Sequence, residues 1–261
     1  MPRFTANLSL LFPELKFTER FSAAKRHGFD AIEIQFPYQE TADTLLNLLC
    51  ENDLKLVLFN VDADDLLQGG EGLACVPHKQ QQFQEAVVQA SNYAKILNPK
   101  FINVLPGRAI NPKHHNRYLE QFNENLHFAL TQFSDIGVKT VFEAINTHDF
   151  PGFIISQTQQ MLAVLVQVNH PDLMLQFDIY HMHRMGENIC HFITTQTPLI
   201  GHIQFADYPG RHQPGTGKIN FSELFDTIDR SSYSGWVGAE YQPQGPRTTS
   251  LNWLTQFAHR S

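Results

Sequence analysis

Four oxygen-bearing side chains recur through the second half of the sequence at about the spacing of one β/α unit. They are Glu143, Asp178, Gln204 and Glu240, and each stands at the end of a short apolar run. If these runs are neighbouring parallel strands, the four side chains converge at one edge of a sheet. Three clustered carboxylates repel one another, and a shared divalent cation removes that conflict. Because ligands that are all oxygen favour a hard ion, the pattern predicts Mg²⁺, with Mn²⁺ as the alternative, rather than zinc.

Histidine and asparagine side chains accompany this set. His181 follows Asp178 by three residues and is expected to orient a ligand or to donate a hydrogen bond to a substrate oxygen. The alternative is a histidine that caps the following loop. His202 shares a strand face with Gln204 and is expected in the protein interior. Asn7 closes the first apolar run, so it is expected at the same edge and is a candidate to bind substrate.

The elements that must position these residues alternate regularly along the chain. Apolar runs that are typical of strands lie at 3–9, 31–36, 54–60, 101–105, 138–144, 173–178, 201–207 and 236–241. Between them lie segments with helical spacing of apolar residues. In the segment 116–137, one face carries Leu119, Phe122, Leu126, Leu130 and Phe133. Eight such units in 261 residues predict an α/β fold, a single (β/α)8 TIM barrel that spans residues 1–261 as one domain.

A doubly wound open sheet is the alternative arrangement of alternating strands and helices. Its Gly-x-Gly-x-x-Gly turn after the first strand is missing, and no linker rich in proline, glycine, serine or charge divides the chain. In a barrel, all the strands end at one rim, where the active site lies. The polar residues that close the strands are therefore expected to face one shared pocket.

The composition narrows the classes of function. The 19 Lys and Arg are outnumbered by 26 Asp and Glu, so the net charge of −7 gives no electrostatic footprint for nucleic acid or an anionic membrane. Cys50, Cys75 and Cys190 are far apart and predict neither disulfides nor a zinc knuckle. No secretory signal or membrane-spanning run is visible, so a cytoplasmic protein is expected. The sequence is compatible with a homo-oligomer.

Several motifs together resemble a known family. "RFTANLSLLFPEL", "GFDAIEIQFPY", "FEAINT", "LQFDIYH", "GHIQFADYPGRHQPGTGKINF" and "GWVGAEYQPQG" are similar to motifs of hydroxypyruvate isomerases, which belong to the xylose-isomerase-like barrel group, and of the related 2-oxo-tetronate isomerases. The resemblance implies that Glu143 and Glu240 form an acid/base pair, and that these two hold a metal together with Asp178 and Gln204. Many related barrels have histidine in place of Gln204. The weaker amide ligand predicts a modest metal affinity.

The reaction that the resemblance implies moves a carbonyl group by one carbon. Hydroxypyruvate and 2-hydroxy-3-oxopropanoate (tartronate semialdehyde) interconvert through an enediolate, and two carboxylates transfer the protons. Since this small hydroxy-keto acid carries a carboxylate, an arginine is expected to bind its far end. Arg211 in "YPGRHQP" is the first candidate and Arg108 in "LPGR" the second. The alternative for each is a solvated loop residue.

Other functions are compatible with the same barrel. A 2-oxo-tetronate isomerase would act on a four-carbon acid, and a neutral-sugar epimerase or isomerase would use the same two glutamates without a carboxylate to bind. A metal-dependent phosphodiesterase or DNA-repair nuclease would need more histidine ligands and a basic surface, which the net charge of −7 disfavours. A non-catalytic binding module is disfavoured because buried carboxylates cost stability.

Overall fold

The computed structural model describes residues 2–245 and 247–258, which form a closed barrel of eight parallel strands. The strands are β1 (Arg3–Asn7), β2 (Ala31–Ile34), β3 (Lys55–Asn60), β4 (Phe101–Asn103), β5 (Lys139–Glu143), β6 (Leu173–Asp178), β7 (Ile200–Phe205) and β8 (Trp236–Ala239). Each strand pairs with the next one along the chain, and β8 pairs with β1 to close the ring. The predicted (β/α)8 barrel is confirmed, and the open doubly wound sheet is excluded.

Helices surround the barrel, and the longer ones have an apolar face that they bury against the strands. Within the described ranges they are α1 (Phe17–Arg26), α2 (Ala42–Glu51), α3 (Gln80–Leu97), α4 (His115–Ser134), α5 (Thr158–Val168), α6 (Ile179–Arg184), α7 (Ile189–Gln196), α8 (Phe221–Arg230), α9 (Arg247–Ser250) and α10 (Asn252–Ala258). In α4, the predicted apolar face is confirmed at Phe122, Leu126 and Leu130, which are fully buried. The ring of Phe122 packs edge-on against Phe142 of β5. None of the helices in these ranges is long and apolar enough to cross a membrane.

The strands are shorter than the apolar runs that predicted them, except for β6. The first run extends to residue 9, but β1 ends at Asn7, because the backbone N–H groups of Leu10 and Leu11 donate to the Asn7 carbonyl and turn the chain. The last strand, β8, ends at Ala239, so Glu240 lies one residue beyond its strand. These differences move no polar residue away from the carboxyl-terminal rim.

The loop between β7 and α8 is anchored at this rim by the hydrogen bonds of Asp207. The Asp207 carboxylate accepts the backbone N–H groups of Gly215, Gly217 and Ile219 at 2.8–3.1 Å. The N–H of Asp207 itself donates to the carbonyl of His212, which closes a tight turn. A buried carboxylate that accepts several backbone N–H groups fixes a loop that has no regular secondary structure. This turn contains Arg211.

Candidate active site

Glu143 is the last residue of β5, and its side chain is buried at the rim. The Asn103 side-chain amide donates to Glu143 Oε1 at 2.9 Å and also to Asn60 Oδ1 at 3.1 Å. Burial raises the pKa of the Glu143 carboxyl well above its usual range, and the nearby charges of Glu240 and Asp178 raise it further. The Glu143 carboxyl therefore holds its proton to a higher pH than an exposed glutamate would.

Glu240 follows β8 and receives hydrogen bonds at both carboxylate oxygens. Oε1 accepts from Asn7 Nδ2 at 3.1 Å and from Gln35 Nε2 at 3.0 Å, while Oε2 accepts from Arg211 Nη2 at 2.6 Å. Burial raises the pKa of Glu240 from 4.5 to about 7, although the Arg211 charge opposes this shift. A carboxyl group that titrates near neutrality can both accept and donate a proton during a reaction.

Asp178 and His181 lie side by side where β6 passes into α6. Asp178 caps the helix, because its Oδ1 accepts the backbone N–H of His181 at 3.1 Å. The imidazole Nε2 of His181 lies 3.8 Å from Asp178 Oδ2. Asn146 Nδ2 lies 2.7 Å from the imidazole Nδ1, and the Asn146 side-chain oxygen accepts the backbone N–H of Asp149.

This arrangement assigns the proton on the His181 ring. Since Asn146 presents its amide hydrogens to Nδ1, Nδ1 is the acceptor and Nε2 carries the hydrogen. Burial lowers the pKa of His181 to about 4, so the ring is neutral at pH 7. His181 therefore offers one N–H donor at the site, which agrees with its predicted role as a donor to a substrate oxygen and leaves that role a prediction.

The clustered carboxylates fit a divalent cation. One carboxylate oxygen each of Glu143 and Asp178 and one ring nitrogen of His181 lie within 4.8 Å of one another, and all three side chains are buried. With a hydrogen on Nε2 and Asn146 at Nδ1, His181 has no free lone pair, so the two carboxylates are the ligands of this group. The charges of Glu240 and Asp178 both raise the pKa of Glu143, which is the repulsion that a bound cation would relieve. The residues present therefore fit a metal ion bound mainly by carboxylate oxygens.

Gln204 and Asn7 face the barrel interior as well as the rim. Gln204 is the next-to-last residue of β7, and its amide nitrogen donates to Glu33 Oε1 at 2.7 Å while its oxygen accepts from Gln176 at 2.6 Å. Asn7 donates to Glu33 as well as to Glu240. Both polar atoms of the Gln204 amide have partners below the rim, and the predicted roles of Gln204 as a metal ligand and of Asn7 in substrate binding stay predictions.

The two candidate arginines lie in different places. Arg211 enters the site: besides its contact with Glu240, its Nη2 lies 3.9 Å from Asp178 Oδ2, and the guanidinium stands 5.4 Å from the centre of the Tyr180 ring. Arg108 is half-buried outside the site, and its Nε donates to the carbonyl of Pro151 at 2.8 Å. The structure thus brings Arg211, and not Arg108, to the carboxylates.

A small cavity of about 40 Å³ opens between these groups. Its polar side is formed by Glu143, His181, Arg211 and Glu240 with Gln35 and Asn60. Its other side is apolar and consists of Phe36, Leu66, Leu67, Leu105, Ile145, Phe150 and Phe153. An apolar wall opposite ionisable groups excludes water and strengthens their electrostatic interactions. The site is suited to proton transfer on a small polar ligand.

Sequence reasoning assigned no role to several residues that shape the site. Gln35 and Asn103 stand at strand ends, so their position at the rim was visible, but their bonds to Glu240 and Glu143 depend on the barrel's closure. Asn146 lies inside the motif "FEAINT" without a role of its own. Asp149 is a loop residue that accepts from Asn146 and Tyr180, and the sequence gives no signal for that contact.

Comparisons with known proteins match the whole of this architecture. A family model described as "Xylose isomerase-like TIM barrel" matches residues 21–257. The chain is 38% identical to the hydroxypyruvate isomerase of Escherichia coli (strain K12), over 98% of this chain and 100% of that protein. It is 35% identical to the 2-oxo-tetronate isomerase of Cupriavidus necator, over 100% of both. A crystal structure from Brucella melitensis, described as an AP endonuclease of family 2, superposes with a TM-score of 0.94 at 33% identity, over 98% of this chain and 99% of that one.

These matches extend over nearly the entire length of the chain and of its relatives, so they are not confined to a shared motif. They confirm the resemblance that the motifs around Glu143, Asp178 and Glu240 predicted. The chain belongs to the xylose isomerase-like TIM barrel family, and its relatives include hydroxypyruvate isomerases and 2-oxo-tetronate isomerases.

Proposed function

We propose that this protein is an isomerase that interconverts hydroxypyruvate and 2-hydroxy-3-oxopropanoate, with Glu143 and Glu240 as its acid and base. The observation that carries this proposal is the pair of buried carboxyl groups with raised pKa values at one small cavity. The relatives named hydroxypyruvate isomerase and 2-oxo-tetronate isomerase support the same reaction class. The proposed partner is accordingly a small hydroxy-keto acid.

The proposed reaction moves two hydrogens and keeps every heavy atom in place. One carboxylate removes a proton from C3 of hydroxypyruvate, and the C2 carbonyl oxygen takes the negative charge of the enediolate. The other glutamate, in its acid form, delivers a proton to C2, while the C3 hydroxyl loses its proton to become the aldehyde and the C2 oxygen gains one. Groups whose pKa values lie near the working pH suit such exchange, and each contributes roughly 10²–10⁴-fold to the rate.

His181 and Arg211 have complementary roles in this proposal. The His181 Nε2–H is a neutral donor that would stabilise negative charge on the enediolate oxygen. Arg211 would bind the substrate carboxylate, because a guanidinium offers parallel donors. Within the described part of the chain, its buried Nε has no hydrogen-bond partner, which leaves one donor for such a ligand. Arg108 is the weaker candidate, since its Nε already bonds to Pro151.

We further propose that the cation is Mg²⁺, with Mn²⁺ as the alternative, held by Glu143, Asp178 and Glu240 with the Gln204 amide. Oxygen donors dominate this set, and hard divalent ions prefer them. When bound, the ion would supply positive charge that stabilises the enediolate oxygens. The protein groups supply the proton transfers themselves, and the Gln204 oxygen would use its second lone pair as a ligand, since Gln176 already donates to the first.

The four-carbon 2-oxo-tetronate is the second candidate substrate, because a relative with 35% identity carries that name. The test is an assay of the wild-type protein by proton NMR on hydroxypyruvate, on 2-oxo-tetronate and on a neutral ketose, each with and without Mg²⁺ or Mn²⁺. Preferred turnover of hydroxypyruvate supports the proposal, whereas turnover of the neutral ketose alone contradicts it. A duplex containing an abasic site serves as the control for nuclease activity, and no cleavage is expected.

A further inference from the structure

We propose that Glu33 is a positioning residue that holds the base Glu240 in place through Asn7. This proposal deepens the function proposed above, since it concerns the geometry of the same acid/base pair. Glu33 lies in β2, is fully buried, and does not line the cavity. It acts through the hydrogen bonds of its carboxylate, which lies below the rim inside the barrel.

The Glu33 carboxylate is the centre of a buried hydrogen-bond network. Its Oε1 accepts from Asn7 Nδ2 at 3.0 Å and from Gln204 Nε2 at 2.7 Å. Its Oε2 lies 3.2 Å from the Thr5 hydroxyl and 2.6 Å from His202 Nε2. Four donors from β1 and β7 thus converge on one carboxylate, and all four side chains are buried.

Asn7 connects this network to the active site, because its side-chain amide donates to both Glu33 and Glu240. Its single side-chain nitrogen donates to Glu33 Oε1 at 3.0 Å and to Glu240 Oε1 at 3.1 Å, while its oxygen accepts the backbone N–H of Ser9 at 3.0 Å. Every polar atom of the amide is therefore committed. Asn7 can direct one hydrogen at Glu240 because Glu33 accepts the other.

The backbone of β8 is shaped to admit this carboxylate. A Cβ atom on Gly238 would lie 2.3 Å from Glu33 Oε2, so any side chain at this position would displace the carboxylate. Gly238 is two residues before Glu240, and its neighbour in the ladder is Gln204. Glycine in a strand interior weakens the strand. The close approach of the Glu33 carboxylate explains why glycine is nevertheless present at position 238.

A role in stability alone is a poor explanation of this arrangement. Removing a carboxylate from water costs several kcal/mol, and a well-packed apolar group at the same place would usually be neutral or stabilising. Two of the four donors, Asn7 and Gln204, belong to the predicted site. One interior carboxylate thereby sets which way both amides point.

The test begins with Glu33→Gln, which keeps the shape and removes one acceptor. Because the amide could turn its nitrogen toward Thr5 and His202, the decisive variant is Glu33→Leu, which removes both acceptors and should break the Asn7 bridge to Glu240. We expect kcat to fall by about 10–100-fold with KM changed by less than about threefold, because misplacing a catalytic group by about 1 Å has effects of this size. Glu124→Gln makes a carboxylate-to-amide change at an exposed position of α4 and is the control; its kcat should stay within about threefold of wild type.

A double-mutant cycle with Asn7→Ala separates positioning from general destabilisation. If Glu33 acts through Asn7, the double variant should be no slower than the slower single variant. Rate losses that multiply, or a folded Glu33→Leu with wild-type kcat, would overturn the proposal. If Glu33→Leu does not fold, Glu33→Asp keeps the charge, withdraws it by one methylene and should show the same non-additive loss.

A second readout does not depend on turnover. In protein labelled with ¹⁵N-asparagine, the Asn7 side-chain amide signal should shift in Glu33→Leu and also in Glu240→Gln, because one nitrogen serves both carboxylates. An Asn7 signal unchanged in either variant would refute the bridge. If the wild type isomerises neither acid, the proposed function fails, and this measurement still decides whether Glu33 positions Glu240.

Discussion

At the scale of single residues, the account depends on how burial and neighbouring charges tune a few ionisable groups. Desolvation raises the pKa of both Glu143 and Glu240, and it lowers the pKa of His181 so that the ring is neutral at pH 7. These shifts could not be predicted from the sequence, because they arise from the depth of each group in the closed barrel. The sequence could predict only that the carboxylates would meet.

The raised pKa of Glu240 predicts that stability falls as pH rises. Its value is about 7 in the folded protein against 4.5 as the ordinary value, so between these limits the folded state binds more protons than the unfolded state. The free energy of unfolding should therefore decrease from about pH 4.5 to 7 and then level off, as far as this group is concerned. Thermal melts of the metal-free protein should show a Tm several degrees higher at pH 5.5 than at pH 8. Glu240→Gln should reduce that difference, and an equal difference in the variant would contradict the assignment.

Arg211 is expected to matter for substrate binding more than for the proton transfers. Arg211→Gln should raise KM for hydroxypyruvate by roughly 10–100-fold, since a charge-assisted hydrogen bond contributes about 1.5–3 kcal/mol. Steady-state kinetics measure this, with the exposed Arg230→Gln on α8 as the control. A larger KM effect in Arg108→Gln than in Arg211→Gln would contradict the placement of Arg211 at the substrate carboxylate.

At the scale of elements, the sequence predicted the strands well and the loops poorly. All eight strands appear where apolar runs predicted them, and β6 matches residue for residue, because a parallel barrel strand is a short continuous apolar segment. An apolar run is longer than its strand wherever a turn begins before the apolar residues end, as after Asn7. The contact between Arg211 and Glu240 was not predictable, since it depends on a loop held by the distant acceptor Asp207.

This loop supplies the prediction at the element scale. Asp207→Asn replaces an oxygen that accepts backbone N–H groups with a donor, which should destabilise the protein by about 1–3 kcal/mol. Because the loop carries Arg211, KM for the substrate should rise as well. Urea unfolding and steady-state kinetics test both effects, with Asp135→Asn, an exposed change just after α4, as the control. Lower stability with an unchanged KM would show that the anchor does not position Arg211.

At the scale of the whole molecule, closing the barrel brings residues from opposite ends of the chain into one network. Asn7 of β1 donates to Glu240 beyond β8, and Gln35 after β2 does the same. The sequence predicted this convergence through the fold class alone, since neither spacing nor motif shows which strand end meets which. This arrangement buries several carboxylates close together at the centre of the rim, which lowers the stability of the folded protein.

A divalent cation should relieve that cost and stabilise the fold. At a concentration one hundred times its Kd, Mg²⁺ or Mn²⁺ should add about 2.7 kcal/mol to the free energy of unfolding, because it binds the assembled carboxylates. Differential scanning calorimetry measures the shift in Tm. Asp178→Asn should abolish most of it, and Glu124→Gln, an exposed change on α4, should not. A Tm shift of equal size in Asp178→Asn would place the ion elsewhere.

The most direct test of the central claim is the isomerisation of hydroxypyruvate in D₂O, followed by proton NMR, for wild type, Glu143→Gln and Glu240→Gln. The account predicts solvent deuterium at C2 of the product from the wild type, and a loss of roughly 10²–10⁴-fold in kcat in each variant. Glu124→Gln should behave as wild type. Turnover that persists in both glutamate variants would show that Glu143 and Glu240 are not the acid and base.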